Sequence, residues 1–153
     1  MTAITEEEKM APIRISATLT TGPNRRIIAR AREHVVQMDV RKERGGDDTG
    51  PTPPECLAMA LGGCVMNIAR IIARDNGIIL DDIHLVIRGD IDPSRAFGLD
   101  GHTRAGFSDL SIALALVPGI SDNDRELLRS ELVRRCPLCD TISNPTPLKI
   151  TIE

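Results

Sequence analysis

The sequence predicts an α+β fold, and three observations carry that prediction. Residues 52–76 read as one long apolar helix. Segments that alternate apolar and polar residues lie on both sides of it. Strands and helices do not alternate strictly, as they would in an α/β chain.

The helix is the best-marked element. Leu57, Ala60, Leu61, Cys64, Ile68, Ile71 and Ile72 recur at helical spacing and form an apolar stripe. Thr52 suits the N-cap, Pro53 the first helical position, and Glu55 completes a Thr-x-x-Glu capping box. Asn76-Gly77 supplies the stop. About 23 residues at 1.5 Å rise give roughly 34 Å, the width of a small domain. Cys64 falls near its middle, directly after Gly62 and Gly63. A helical glycine costs about 1 kcal/mol relative to alanine, so two together imply close approach of another backbone or of a ligand. Cys64 itself reads equally well as a small core hydrophobe.

Before the helix, residues 1–11 read as a disordered acidic tail and residues 12–153 as a single domain. From Ile13 the alternation of Ile13, Ile15, Ala17 and Leu19 with Arg14, Ser16, Thr18 and Thr20 predicts a half-buried strand. Residues 21–24 (TGPN) form a turn, and residues 26–32 and 34–40 read as two further strands with no glycine or proline between them. The loop at 44–51 (RGGDDTGP) lacks the spacing and lysine of a phosphate-binding loop.

After the helix, residues 83–91 and 107–117 predict strands separated by a loop that holds Pro93, three glycines and His102. Ser121 or Asp122 caps a second helix whose Leu127, Leu128 and Leu132 face inward, and Pro137 ends it near Cys136. A short helical turn then runs to Ile142, and residues 148–153 alternate as a last strand.

Composition narrows the function. Net charge of −3, scattered basic residues and 1% aromatics offer nothing for nucleic acid to bind. The apolar candidate for a membrane span carries Glu55, Arg70, Arg74 and Asp75, so no span is expected. The opening MTAITEEEKM lacks the apolar core of a signal peptide. These features predict a cytoplasmic, reducing setting, where four cysteines point to redox chemistry or metal before structural disulfides. Cys136-Pro-Leu-Cys139 is a CxxC. Cys56 and Cys64, eight apart on a helix, are roughly 12 Å apart along its axis, too far to share a zinc ion. His34, His84 and His102 show no ligand spacing. Neither metal nor cofactor is expected.

The motifs GGDDTGPTPPECLAMALGGC (45–64) and CPLCDTISN (136–144) resemble the osmotically inducible protein C and organic hydroperoxide resistance superfamily, in its general OsmC-like branch. The resemblance runs from about His34 to the C-terminus. It implies an OsmC-like fold, with antiparallel sheets around a long central helix, and an intertwined homodimer. It implies a thiol peroxidase that reduces organic hydroperoxides at the expense of a thiol or dithiol reductant. Carried onto this chain, Cys64 matches the peroxidatic cysteine and Cys136 the resolving one. The family's glutamate falls at Pro54 here, with Glu55 one residue later, so Glu55 is either catalytic or only the capping partner of Thr52. Arg25, beside Arg26, is the candidate for the activating arginine. Cys139 is a third redox partner or idle, and Cys56 a packing residue. A different class of function stays open, a non-enzymatic thiol module that senses redox state or captures a small ligand or persulfide.

Overall fold

The computed structural model describes residues 11–99, 101–116 and 119–153. The expected tail at 1–11 lies outside them but for Ala11, and the end of the strand expected at 107–117 also falls outside. The chain divides into two compact units, the first ending at Cys56 and the second spanning Leu57–Glu153. The division falls in the first turn of the long helix.

In the first unit, β1 (Thr18–Thr21), β2 (Ile27–Ala31) and β3 (His34–Met38) form an antiparallel sheet in that order. The pairs Leu19↔Ala29 and Ala29↔Val36 set the register. The β2–β3 boundary is made by Arg32, which adopts the left-handed conformation at φ 54° that glycine or asparagine usually takes. A short 3₁₀ turn at Pro23–Arg25 joins β1 to β2. Beyond β3 the loop folds back so closely that a Cβ on Gly46 would sit 1.9 Å from the Val40 carbonyl oxygen, which explains the glycine.

The long helix α1 (Pro53–Asp75) matches the sequence reading to within a residue at each end. Asn76 closes it, its side-chain amide donating to the Ile72 carbonyl at 2.8 Å. By length and composition α1 would suffice to cross a membrane, because its charges cluster at its ends. The same properties suit a core helix, and the Leu61, Val65, Ala69, Ile72 and Ala73 face is buried in the second unit. The buried stripe is therefore rotated from the expected one, since Leu57 and Ala60 stay exposed and Val65, Ala69 and Ala73 replace them.

The second unit pairs β4 (His84–Asp90) with β5 (Asp109–Ala115), Ile87 opposite Ile112. Helix α2 (Asp122–Arg135) starts at Ser121, whose hydroxyl accepts from the Asp124 N–H, and buries Leu128. Helix α3 (Pro137–Ser143) follows at once, with Cys136 as the single hinge residue. Leu61, Val65 and Cys136 form one buried cluster, against which Leu85, Ile87, Leu110, Leu132 and Leu138 pack. The double glycine splits in meaning. A Cβ on Gly62 would meet the Leu85 and Ile87 side chains at 3.3 and 3.4 Å, whereas Gly63 faces open space.

Both expected terminal strands depart from expectation. Residues 12–17 and 148–153 carry the alternation but no strand, with Ile13, Ile15, Leu148, Ile150 and Ile152 left exposed. A strand exists only where another pairs its backbone, and among the described residues no segment does so for either.

Candidate active site

Each unit contributes one constellation. In the second unit, α1 carries Cys64 on its inner flank, half-buried, while the α2–α3 hinge carries Cys136, which is only 1% exposed. Pro137 cannot donate a backbone hydrogen bond, so α2 stops at Arg135 and Cys136 leaves helical geometry at φ −81°, ψ 113°. That turn brings the two sulfurs to 3.4 Å, within hydrogen-bond distance for thiols, although 72 positions separate them in sequence. Cys139, one turn into α3, packs on the same cluster. All four cysteines are free thiols.

The electrostatics of the thiols are unequal. Burial pushes the Cys64 thiol up, the Leu138 N–H opposes this, and the neighbouring Cys136 sulfur adds to it. For Cys136, burial also works against ionisation, but the N–H groups of Cys139 and Leu138 and the thiols of Cys139 and Cys64 outweigh it, so its pKa falls. The Cys136 sulfur makes no formed cap bond to α3. The lowering is the pull of N–H dipoles at a helix start on a nearby thiolate. Either thiol can donate across the 3.4 Å gap, and these dipoles make Cys136 the better acceptor. Burial thus favours the neutral thiol at Cys64. Burial first, then the Cys136 sulfur, push Cys139 up to about 12. Among the described residues, no cation is among the groups that act on Cys64.

In the first unit the polar residues converge around Glu55. One carboxylate oxygen accepts from the Thr52 N–H at 2.7 Å and the Thr52 hydroxyl at 2.9 Å, which is the capping-box contact. The other accepts from the Arg41 guanidinium. The Thr52 N–H chiefly, with Arg41 next, holds Glu55 well below the usual carboxylate range, at about 2. Arg41 and Glu55 line an open polar cleft of 610 Å³ with Glu43, Asp48 and Thr49. Glu55 thus keeps its capping role and gains a cation that sequence reading did not single out. Arg25 lies elsewhere in the unit, exposed, donating to the Arg44 carbonyl at 3.2 Å. Cys56, half-buried, sits in the first turn of α1, its N–H bonded to the Thr52 carbonyl at 2.9 Å.

Asp39 also escaped sequence reading. It is buried at the end of β3 and accepts from the Thr49 N–H at 2.9 Å, the Thr49 hydroxyl at 2.7 Å and the Val40 N–H at 2.7 Å. These donors, led by the Thr49 N–H and against the cost of burial, hold its carboxyl at about 2. Asp39 pins the loop that precedes α1, and no sequence pattern marks such an anchor. No group of three or more His, Cys, Asp or Glu among the described residues is arranged to hold a metal ion.

Comparison with known proteins agrees with this architecture. The OsmC-like protein family matches residues 45–151. Among solved structures, an OsmC-like protein from Mycoplasma pneumoniae superposes with a TM-score of 0.75 at 15% identity, covering 87% of this chain and 89% of its own. An organic hydroperoxide resistance protein OsmC from Legionella pneumophila gives 0.63 at 20% identity, over 86% and 90%. An organic hydroperoxide resistance protein from Elizabethkingia anophelis, with thiocyanate bound, gives 0.61 at 18%, over 85% and 88%. At such identities the likeness is one of fold. No curated protein matches the sequence. The family match spans both cysteine motifs and most of the chain, and this protein belongs to the OsmC-like family.

Proposed function

We propose that the protein is a thiol peroxidase for organic hydroperoxides, with Cys64 as the attacking thiol and Cys136 as the resolving one. The observation that carries this reading is the 3.4 Å Cys64–Cys136 sulfur pair set against an apolar cluster. The Cys64 thiol gives up its proton as its sulfur attacks the distal peroxide oxygen, the O–O bond breaks, and the alkoxide takes that proton and leaves as the alcohol. Cys64 is then a sulfenic acid, which Cys136 attacks to form a disulfide with loss of water. A dithiol reductant restores both thiols by exchange. Apolar walls favour an organic peroxide over hydrogen peroxide. The organic hydroperoxide resistance proteins from Legionella pneumophila and Elizabethkingia anophelis share this fold and support the substrate class.

Arg41 and Glu55 form the charged pair of the first unit, whereas Arg25 contacts a backbone carbonyl instead of Glu55. The assembly is proposed to be a symmetric homodimer. Its support is the family together with the apolar alternation left open at residues 12–17 and 148–153.

One observation favours a second reading, a redox-sensing or ligand-capturing thiol module. Burial raises Cys64, and among the described residues no cation acts on it to offset this. Consumption of cumene hydroperoxide in the presence of dithiothreitol separates the two. We expect turnover in wild type, none above background in Cys64→Ser, and no change in Cys56→Ser. Equal rates in wild type and Cys64→Ser overturn the peroxidase reading, and an inactive wild type favours the sensing module.

A further inference from the structure

The CxxC places a third thiol beside the pair, and that thiol lines a cavity that the pair does not. Cys136 caps the N-terminus of α3 and Cys139 is the third helical residue. Residues three apart in a helix have Cα atoms about 5 Å apart, inside the roughly 4.4–6.8 Å range a disulfide spans. Cys136 is almost completely shielded at 1% exposure, so no external thiol can approach its sulfur directly. Cys139, by contrast, lines an apolar cavity of 370 Å³ between β5 and α2, with Val65, Ile112, Leu128 and Leu132 among its walls. Neither Cys64 nor Cys136 lines that cavity.

We propose that Cys139 is a relay thiol that moves the disulfide from the Cys64–Cys136 pair to the CxxC, where a dithiol reductant opens it through the apolar cavity. The proposal rests on the peroxidase reading for the origin of the first disulfide. Cys139 sulfur attacks the Cys136 sulfur, the Cys64–Cys136 bond breaks, and Cys64 leaves as a thiolate that takes the proton Cys139 gives up. The exchange is redox-neutral. The external dithiol then attacks the Cys139 sulfur, passes through a mixed disulfide, and departs as its own cyclic or linear disulfide. It loses two electrons and two protons, and Cys136 and Cys139 return as thiols.

The order of events follows from the charges. In the reduced protein the Cys136 sulfur helps to hold the proton on Cys139. Once Cys136 is in a disulfide it carries no charge, and that contribution vanishes while the burial contribution stays. Oxidation of the pair thus prepares the relay thiol for attack, and Cys64 is returned to its reduced state while the oxidising equivalent waits at α3.

The test is a time course of disulfide linkage. Reduced protein receives one equivalent of cumene hydroperoxide, is acid-quenched and alkylated at intervals, and is read by peptide mass spectrometry. We expect a Cys64–Cys136 link first and a Cys136–Cys139 link with alkylated Cys64 at the end. Cys139→Ser should stop at Cys64–Cys136 and raise the KM for dithiothreitol. A wild-type end product of Cys64–Cys136, or an unchanged KM in Cys139→Ser, overturns the relay. So does a Cys136–Cys139 link formed by peroxide at wild-type rate in Cys64→Ser, since the CxxC would then act alone. A parallel arm oxidises the reduced protein with diamide. If peroxide leaves every thiol reduced, the peroxidase reading falls, and passage of the diamide-formed Cys64–Cys136 link to Cys136–Cys139 still decides the relay by itself.

Discussion

The two units solve the problem of holding a chain together in opposite ways. Among the described residues, the side chain buried in the first unit is the carboxylate of Asp39. Those buried in the second are Leu61, Val65, Ala69, Ile72, Ala73, Leu128 and Cys136. The first unit leaves Leu19, Val35 and Val36 half in water and fixes its loop with charge-assisted hydrogen bonds to Asp39 and with the Arg26–Asp47 ion pair at 2.6 Å. The second packs apolar side chains around a thiol. The proposed redox pair needs a dry, shaped wall, and among the described residues the second unit supplies it. The acidic and basic groups that α1 needs at its start come from the first.

Three measurements can break or sharpen that contrast. The largest effect belongs to Ile72→Ala, which empties a fully buried site on α1. Chemical denaturation should register a loss of about 2–5 kcal/mol. A loss below about 0.5 kcal/mol, typical of surface positions, would show that the second unit's core is not where the stability lies.

The next effect tests the open apolar surface of the first unit. If a second copy covers it, the denaturation midpoint of the wild-type protein rises with concentration. A 100-fold change in concentration is worth about 2.7 kcal/mol when only the folded state associates. A constant midpoint over that range, with a monomer by light scattering, refutes the homodimer.

The smallest is confined to the Asp39 anchor. The folded-state pKa of Asp39, about 2, lies below its ordinary 3.8. Its stabilisation is therefore complete above that ordinary value and is lost as pH falls through about 2. Glu55, lowered from 4.5 to about 2, runs in the same direction. The Thr49 amide resonance should shift with a midpoint near pH 2, with the protein's stability falling across the same window. A midpoint near 4 would mean that the Asp39 hydrogen bonds do not form in solution.

Legibility in the sequence followed the same divide. Helix α1, its capping box, the Ser121 cap and the break at Pro137 were all readable, because each is a local rule that involves neighbours in sequence. The α+β class followed from them. The terminal strands misled, because alternation at Ile13 or Ile150 states only which side chains are apolar, and a strand also needs a partner backbone. Arg32 hid the β2–β3 turn by adopting a glycine-like φ without being glycine. At the site, Cys64 and Cys136 were singled out by resemblance to a family. Periodicity alone left Cys64 as plausible core packing, and nothing local reports a contact across 72 positions. Arg41 and Asp39 carried no signal at all, since a loop arginine and a strand-end aspartate are ordinary until the chain folds over them.

The shielded thiol at the α2–α3 hinge has a thermodynamic consequence. A bond from Cys136 to Cys64 would close a ring across 72 positions of chain, and restricting the unfolded ensemble by so long a ring is worth about 4 kcal/mol. A bond from Cys136 to Cys139 closes a ring of four residues and restrains the unfolded chain far less. The oxidising equivalent would then carry its own tether. On the proposed relay, the protein would be hardest to unfold while the disulfide spans the core, and would loosen when it moves to the hinge. Resistance to unfolding would then record how far the proposed cycle has run.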